Sequence, residues 1–285
     1  MVKSLIQERI FAEVPQVVPI IGYFSDEATV AEYNNLIDKD YQGLSALKPF
    51  RFDTDKGEVV GSNIPAKVLL FSKFLKPAGY EMSGLQDLED AHSIHTMNAS
   101  CGLDTSGYCY VDTGIVVRKH TERTADIVEQ IRKRNPKLAE LKVPVAFGLN
   151  GLEVRVEGKL NGVSYVLTDR TQLYEAPEYA GKNKLFSIVE NGRPVIQEQG
   201  TRTVWNNDNL DISRFCLGSD LDVNADYDDL AYSGGYGRVV LHRGEAAGAK
   251  IFEDYTRKLN AEVEQAKSEL ESRYQNALQV LRGAQ

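Results

Sequence analysis

Apolar and polar residues alternate with a period of two from Phe215 to Asp228. Phe215, Leu217, Leu221, Val223 and Ala225 hold odd positions, while Cys216, Gly218, Asp220, Asp222, Asn224, Asp226 and Asp228 hold even ones. Successive side chains of an extended chain take opposite faces, so the spacing predicts an anchored segment with the odd set in a core and the even set displayed. Tyr232, Gly234 and Tyr236 extend the displayed set. On this reading Asp222→Ala or Asn224→Tyr shifts stability by under about 0.5 kcal/mol, whereas Leu221→Ala costs about 2 to 5 kcal/mol.

Elsewhere the pattern mixes both periods. It predicts a Val/Ile strand over Val17 to Phe24, a short helix over Glu27 to Ile37, and helical spacing over Ile64 to Leu75. Ser83 to His95 reads as a further helix, capped by Ser83 with Asp87, Glu89 and Asp90 in its early turns. A strand over Tyr108 to Arg118 leads to an amphipathic helix over Glu122 to Leu141, with Ile127, Ile131 and Leu138 on one face. Two hairpins come next, Leu152 to Val156 against Val163 to Thr168 across Leu160-Asn161-Gly162, and Leu185 to Val189 against Pro194 to Glu198 across Asn191-Gly192. The organisation is α+β.

The tail from Glu245 to Arg282 reads as one long amphipathic helix. Phe252, Tyr255, Leu259, Val263, Ala266, Leu270, Tyr274, Ala277 and Leu281 recur at spacings of three and four that repeat every eleven residues, which keeps the stripe nearly straight. The expected division is therefore a domain over 1–244 and a helix over 245–285 that packs or assembles, a route to an oligomer.

Composition sharpens the picture at one place. From Asn206 to Gly244 the chain holds no Lys, Glu, Gln, Met or Trp, although Lys, Glu and Gln are spread through the rest, which also holds three Met and one Trp. Those five types are the residues out of reach when both adenines of an AAC codon are replaced by arbitrary bases, whereas Asn, Asp, Tyr, Ser, Gly, Ala, Cys, Phe, Leu, Val, His and Arg are all within reach. The gap points to a mutational history.

A net charge of −8 without a concentrated basic patch argues against nucleic-acid binding. MVKSLIQERIF carries charges among its apolar residues, which is not a signal-peptide pattern, and no segment has the length and apolarity of a membrane span, so a cytoplasmic location is the default expectation. Three cysteines, an odd number, do not make a disulfide framework.

Several constellations carry chemistry. His92, His95, Cys101 and Cys109 offer zinc-type ligands and define the alternative reading, a metal-assisted hydrolase, although their spacing matches no common finger. Val111-Asp112-Thr113-Gly114 with Phe215-Cys216-Leu217-Gly218-Ser219-Asp220 has the outline of an aspartic-protease pair of segments, but the tripeptide is short. Asp220, Asp222, Asn224, Asp226 and Asp228 are spaced like a calcium loop; Ala225 stands where the sharp turn needs Gly, and Ala231 where a bidentate Glu closes the site. Ser233-Gly234-Gly235-Tyr236-Gly237 precedes a strand and offers no helix N-terminus to a phosphate. No cofactor is expected.

SNIPAKVLLFSKFL, GYEMSGLQDLEDA and TRTVWNNDNLDISRFCLGSDLDVNADYDDLAYSGGYGRVVL together resemble the variable proteins of diversity-generating retroelements, and are most similar to their archaeal group. Gly79 to Ala91 is similar to the second-helix signature of the formylglycine-generating-enzyme-like subtype, with Ser83-Gly84 in place of Pro-Thr and Leu88 in place of Trp. Trp205-Asn206-Asn207-Asp208 resembles the Trp-Asn-Asp of calcium-dependent sugar-binding lectins with one Asn inserted, and no Glu-Pro-Asn precedes it. The resemblance spans Pro49 to Leu241 and implies a C-type lectin-like fold with a mixed or antiparallel sheet and hairpins. It further implies that adenine-templated reverse transcription rewrites a segment over about 206–241. The expected activity is binding of a macromolecular ligand, a protein, and not catalysis. The residues that would meet it are Cys216, Gly218, Asp220, Asp222, Asn224, Asp226, Tyr227, Asp228, Tyr232, Gly234 and Tyr236, where rigid tyrosines beside small residues match the composition of a paratope.

Overall fold

The computed structural model describes residues 21–54, 58–90, 110–243 and 267. Its compact unit runs from Ile21 to His242 and is a mixed α+β fold, mostly strands, around a curled eight-stranded sheet. The chain begins with β1 (Ile21–Tyr23), α1 (Glu27–Asp40), a small ladder of β2 (Arg51–Asp53) and β3 (Glu58–Val60), α2 (Ile64–Leu70) and β4 (Tyr80–Met82). A short helix α3 covers residues 85–90. Then come β5 (Tyr110–Val117), α4 (Ala125–Arg134), β6 (Val145–Gly148), the hairpin β7 (Leu152–Leu160) with β8 (Val163–Leu167), and β9 (Leu173–Glu175). The last strands are β10 (Lys184–Glu190), β11 (Arg193–Gln197), β12 (Arg202–Asn206), β13 (Ile212–Gly218), β14 (Val223–Tyr227) and β15 (Val240–Arg243).

The large sheet has the order β11-β10-β12-β14-β13-β5-β6-β9, and β1, β15 and β4 form a separate sheet in which β15 is central. Pairing in the large sheet is antiparallel except between β12 and β14, which run parallel with Val204 opposite Val223 and Trp205 opposite Asn224. The two expected hairpins close on Asn161-Gly162 and Asn191-Gly192, with φ of 56° and 83° in the first and 52° and 75° in the second. Paired positive φ angles are what a two-residue turn matched to strand twist demands, and Asn-Gly meets that at least cost.

Both faces of the central strands are covered. Along β5, Ile115 and Val117 join one core cluster with residues of α1, α2, α4 and the β7–β8 hairpin, while Val116 joins a second with Leu85 and Leu88 of α3 and Tyr179. The same parity governs β13 and β14, where Phe215, Leu217, Val223 and Ala225 all enter the second cluster. Asn63 caps α2 by accepting from Ala66 N at 2.8 Å, and its amide donates to Ala46 O at 3.0 Å and Ala231 O at 2.9 Å. One side chain thus starts a helix and ties it to the loop after β14.

Element boundaries differ from expectation where local chemistry intervenes. The helix expected over Ile64 to Leu75 finishes as a five-residue π segment, Phe71–Leu75. The one expected to Leu141 stops at Arg134, because Asn135-Pro136 interrupts it; Leu138 still reaches the core from a separate 3-10 turn, Leu138–Glu140. The cap of α3 is not Ser83. Leu88 N donates to Gly84 O, and Asp87 accepts from Gly84 N at 2.8 Å, so the helix opens one residue later and the buried Ser83 hydroxyl has no hydrogen-bond partner among the described residues. The expected strand before Ile21, the helix beyond residue 90 and, apart from residue 267, the long tail helix over 245–285 lie outside the described residues.

Candidate functional site

A transverse row of side chains crosses the large sheet. Trp205 on β12 is opposite Asn224 on β14, Asn224 is opposite Cys216 on β13, and Cys216 is opposite Asp112 on β5. Exposure falls along it, from 40% at Trp205 through the half-buried Asn224 to 2% at Cys216 and 0% at Asp112. The inner end is roofed by α2, whose fully buried Lys67 donates from Nζ to Asp112 O at 2.7 Å. Along this row the side chains emerge into solvent only from Asn224 outward.

This placement corrects the reading of Cys216 as a displayed residue. Its parity is as expected, but it is buried beside Asp112, to which Lys67 of α2 reaches, and burial pushes its thiol up to about 12, which leaves it protonated and inert at neutral pH. Leu221 is corrected in the opposite sense. It sits in a tight turn with φ of 66°, half-buried, and its N–H donates to Gly218 O at 3.0 Å. A strand alternation cannot continue through a turn, so Leu221 packs at the margin of the second core cluster.

Around that turn Asp222 works as a clasp. One carboxylate oxygen accepts from Thr203 N at 2.7 Å and the other from Trp205 Nε1 at 2.8 Å, fastening the turn to β12. The near-neutral effect expected for Asp222→Ala therefore does not fit its surroundings. Asp220 Oδ1 in turn accepts from Asp222 N at 3.1 Å and is itself exposed. The neighbouring Gly218 and Gly234 are half-buried, and Gly234 N donates to the Tyr110 hydroxyl at 3.2 Å.

Tyr227 reaches the displayed face although its number is odd. The β13–β14 register shifts between Arg214 and Cys216, so Asn224 is opposite Cys216 but Tyr227 is opposite Arg214, and one extra residue of β14 is absorbed. Such a bulge reverses the parity of the residues beyond it. Arg214 is 2% exposed, with its guanidinium carbon 4.5 Å from the Tyr110 ring centroid, 5.0 Å from Tyr227 and 5.3 Å from Tyr232. Three tyrosines surround one guanidinium, and Tyr227, Tyr232 and Tyr236 still expose 45%, 50% and 54% of their surface. Asp226 is half-buried, its Oδ1 without a hydrogen-bond partner among the described residues, and Asp228 is exposed beside Arg123 at 3.4 Å.

Beneath the rings lies a charged floor that the residue pattern did not signal. Arg214 is 3.5 Å from Asp112, whose carboxylate oxygens accept no hydrogen bond from the described residues; burial raises its pKa, and Arg214 and Lys67 oppose the rise. Burial pulls Lys67 down to about 8 and lifts Tyr110 to about 12. Traces of this floor in the sequence are a lone Lys in the apolar run Ile64 to Leu70, a lone Arg between Ser213 and Phe215, and Asp112 as the one charged residue of Tyr110 to Val117.

The Asp-Thr-Gly outline has a packing explanation. Asp112, Thr113 and Gly114 lie within β5, not in a turn, and a Cβ on Gly114 would come within 2.1 Å of the Phe215 ring. The glycine makes room for Phe215, which stacks on Tyr179 at 5.2 Å. Asp112 has no second carboxylate opposite it, since Cys216 and not Asp220 is its cross-strand partner. His92, His95, Cys101 and Cys109 lie outside the described residues, and among those described no three His, Cys, Asp or Glu side chains converge as a metal site. No helix among the described residues is long and apolar enough to cross a membrane.

No family model, curated protein or solved structure matches the chain.

Proposed function

We propose that this chain is a ligand-binding display protein, a C-type lectin-like domain of the formylglycine-generating-enzyme-like subtype whose segment over about 206–241 is diversified by a retroelement. One observation carries the reading. Side chains from outside the segment hold its main chain at several points, and only some of them, such as Arg118 at the Ser213 hydroxyl and Arg123 at the Asp228 carboxylate, also meet a side chain of it. Asn63 donates to Ala231 O at 2.9 Å, Arg118 to Ala225 O at 2.9 Å, and Arg202 to Leu221 O at 2.7 Å. Arg123 donates to Asp228 O at 2.6 Å and Ser62 to Arg238 O at 3.1 Å.

Every residue type offers the same carbonyl, so these anchors survive a change of side chain at the positions they hold. Surface substitutions away from packed or hydrogen-bonded features move stability by only about 0.5 kcal/mol. Asp220, Asn224, Tyr227, Asp228, Tyr232 and Tyr236 then supply contact chemistry while Val223 and Ala225, both 0% exposed, supply the anchor. The absence of Lys, Glu, Gln, Met and Trp from Asn206 to Gly244 is the record expected of adenine-directed change.

The test is a library randomised at those six outward positions. Most members are expected to fold with midpoints within a few degrees of the parent, while the same diversity at Val223 and Ala225 abolishes folding. A library that loses its fold at the outward positions would sink the reading. In the flanking DNA, a near-copy of the codons for 206–241 with adenines at the variable positions is the expected companion.

A further inference from the structure

We propose that the partner of this face is a basic, extended polypeptide segment, bound along β14 between Trp205 at one side and Tyr227 and Tyr232 at the other. The inference rests on the display reading and adds the charge and shape of what is bound. Within 206–241 the basic side chains are Arg214 and Arg238, 2% and 3% exposed, whereas Asp220, Asp228 and Asp229 are exposed. The segment therefore presents only negative charge to solvent.

Two cations that approach from neighbouring elements are already engaged, while Arg51 on β2 comes up at Gly235, at the far margin of the face from Trp205. Arg202 forks onto Glu89, and Arg123 is shared between Asp211 at 3.3 Å and Asp228 at 3.4 Å. Arg214 occupies the inner sides of the Tyr227 and Tyr232 rings and turns their bodies outward, leaving 45% and 50% of each residue open. An exposed aromatic face flanked by carboxylates attracts an ammonium or guanidinium twice over, through its charge and through the ring quadrupole. β14 has five residues and spans about 17 Å, room for about five residues of an extended ligand.

The probe is a ten-residue peptide rich in Lys and Arg, compared by calorimetry with counterparts in which Glu or Gln replaces every cation. The basic peptide is expected to bind one to one, and its affinity to fall at least about ten-fold between 50 and 300 mM salt. Asp220→Asn with Asp228→Asn, and separately Tyr227→Ala, should each weaken it about ten-fold or more. Glu153→Gln, an exposed acid on β7 outside this face, should leave it unchanged. Equal binding of the Glu or Gln peptide, equal weakening by Glu153→Gln, or no binding by any peptide overturns the proposal. If the six-position library folds while the basic peptide fails, the cationic partner falls and the display surface stands; if the library fails to fold, both fall.

Discussion

The Arg214 guanidinium lies 3.5 Å from the Asp112 carboxylate, and neither residue exposes more than 2% of its surface. A buried pair of this kind contributes little beyond a well-packed apolar replacement, yet breaking it leaves one uncompensated charge. Arg214→Met or Asp112→Leu alone should cost about 3–5 kcal/mol in chemical denaturation. The double variant should recover most of that loss. A double variant as unstable as the sum of the singles would show that the pair is not coupled.

Asp222→Ala should destabilise by about 1–3 kcal/mol, because two N–H groups lose a charged acceptor at once. The indole N–H resonance of Trp205, from the chain's one tryptophan, should move with it. An unperturbed resonance and an unchanged midpoint would place Asp222 outside the clasp.

Lys67 sets a pH signature. Its folded-state pKa lies near 8, depressed by burial from 10.5, so above pH 8 the folded state releases a proton that the unfolded chain still holds. Stability therefore rises with pH between about 8 and 10, by on the order of 1–2 kcal/mol from this group. Unfolding at pH 7.5 and 9.5 should show that gain in the parent and not in Lys67→Met. The window stops near 10, where Tyr110, held up to about 12 by burial, begins to act in the opposite direction.

Gly114→Ala should cost at least about 3 kcal/mol or prevent folding, since the added methyl meets Phe215 at 2.1 Å and Phe147 O at 2.5 Å. Gly114→Ala with Phe215→Leu should restore part of the loss. Restoration by the smaller partner separates a packing role from a catalytic one.

Much of the architecture was legible because its signals are local. The Asn-Gly turns fixed both hairpins, and the alternation placed Val223 and Ala225 in the core with Asn224 outward. The hidden part depends on covering and register. Nothing near Cys216 announces its burial beside the Asp112 that Lys67 of α2 reaches, and nothing near Tyr227 announces the bulge that turns it to the displayed face. Arg214, Asp112 and Lys67 come from three elements, and their meeting is a product of topology alone.

The parallel pairing of β12 with β14 means that β14 is inserted between two strands that precede it in sequence. Both of its edges are therefore occupied, one by β12 and one by β13. A strand whose side chains are drawn at random would, at the rim of a sheet, sometimes become a sticky template for other copies of itself. Enclosed on both sides, β14 has no free backbone to offer, so under the proposed diversification a change of its side chains would leave no open edge for another copy to join.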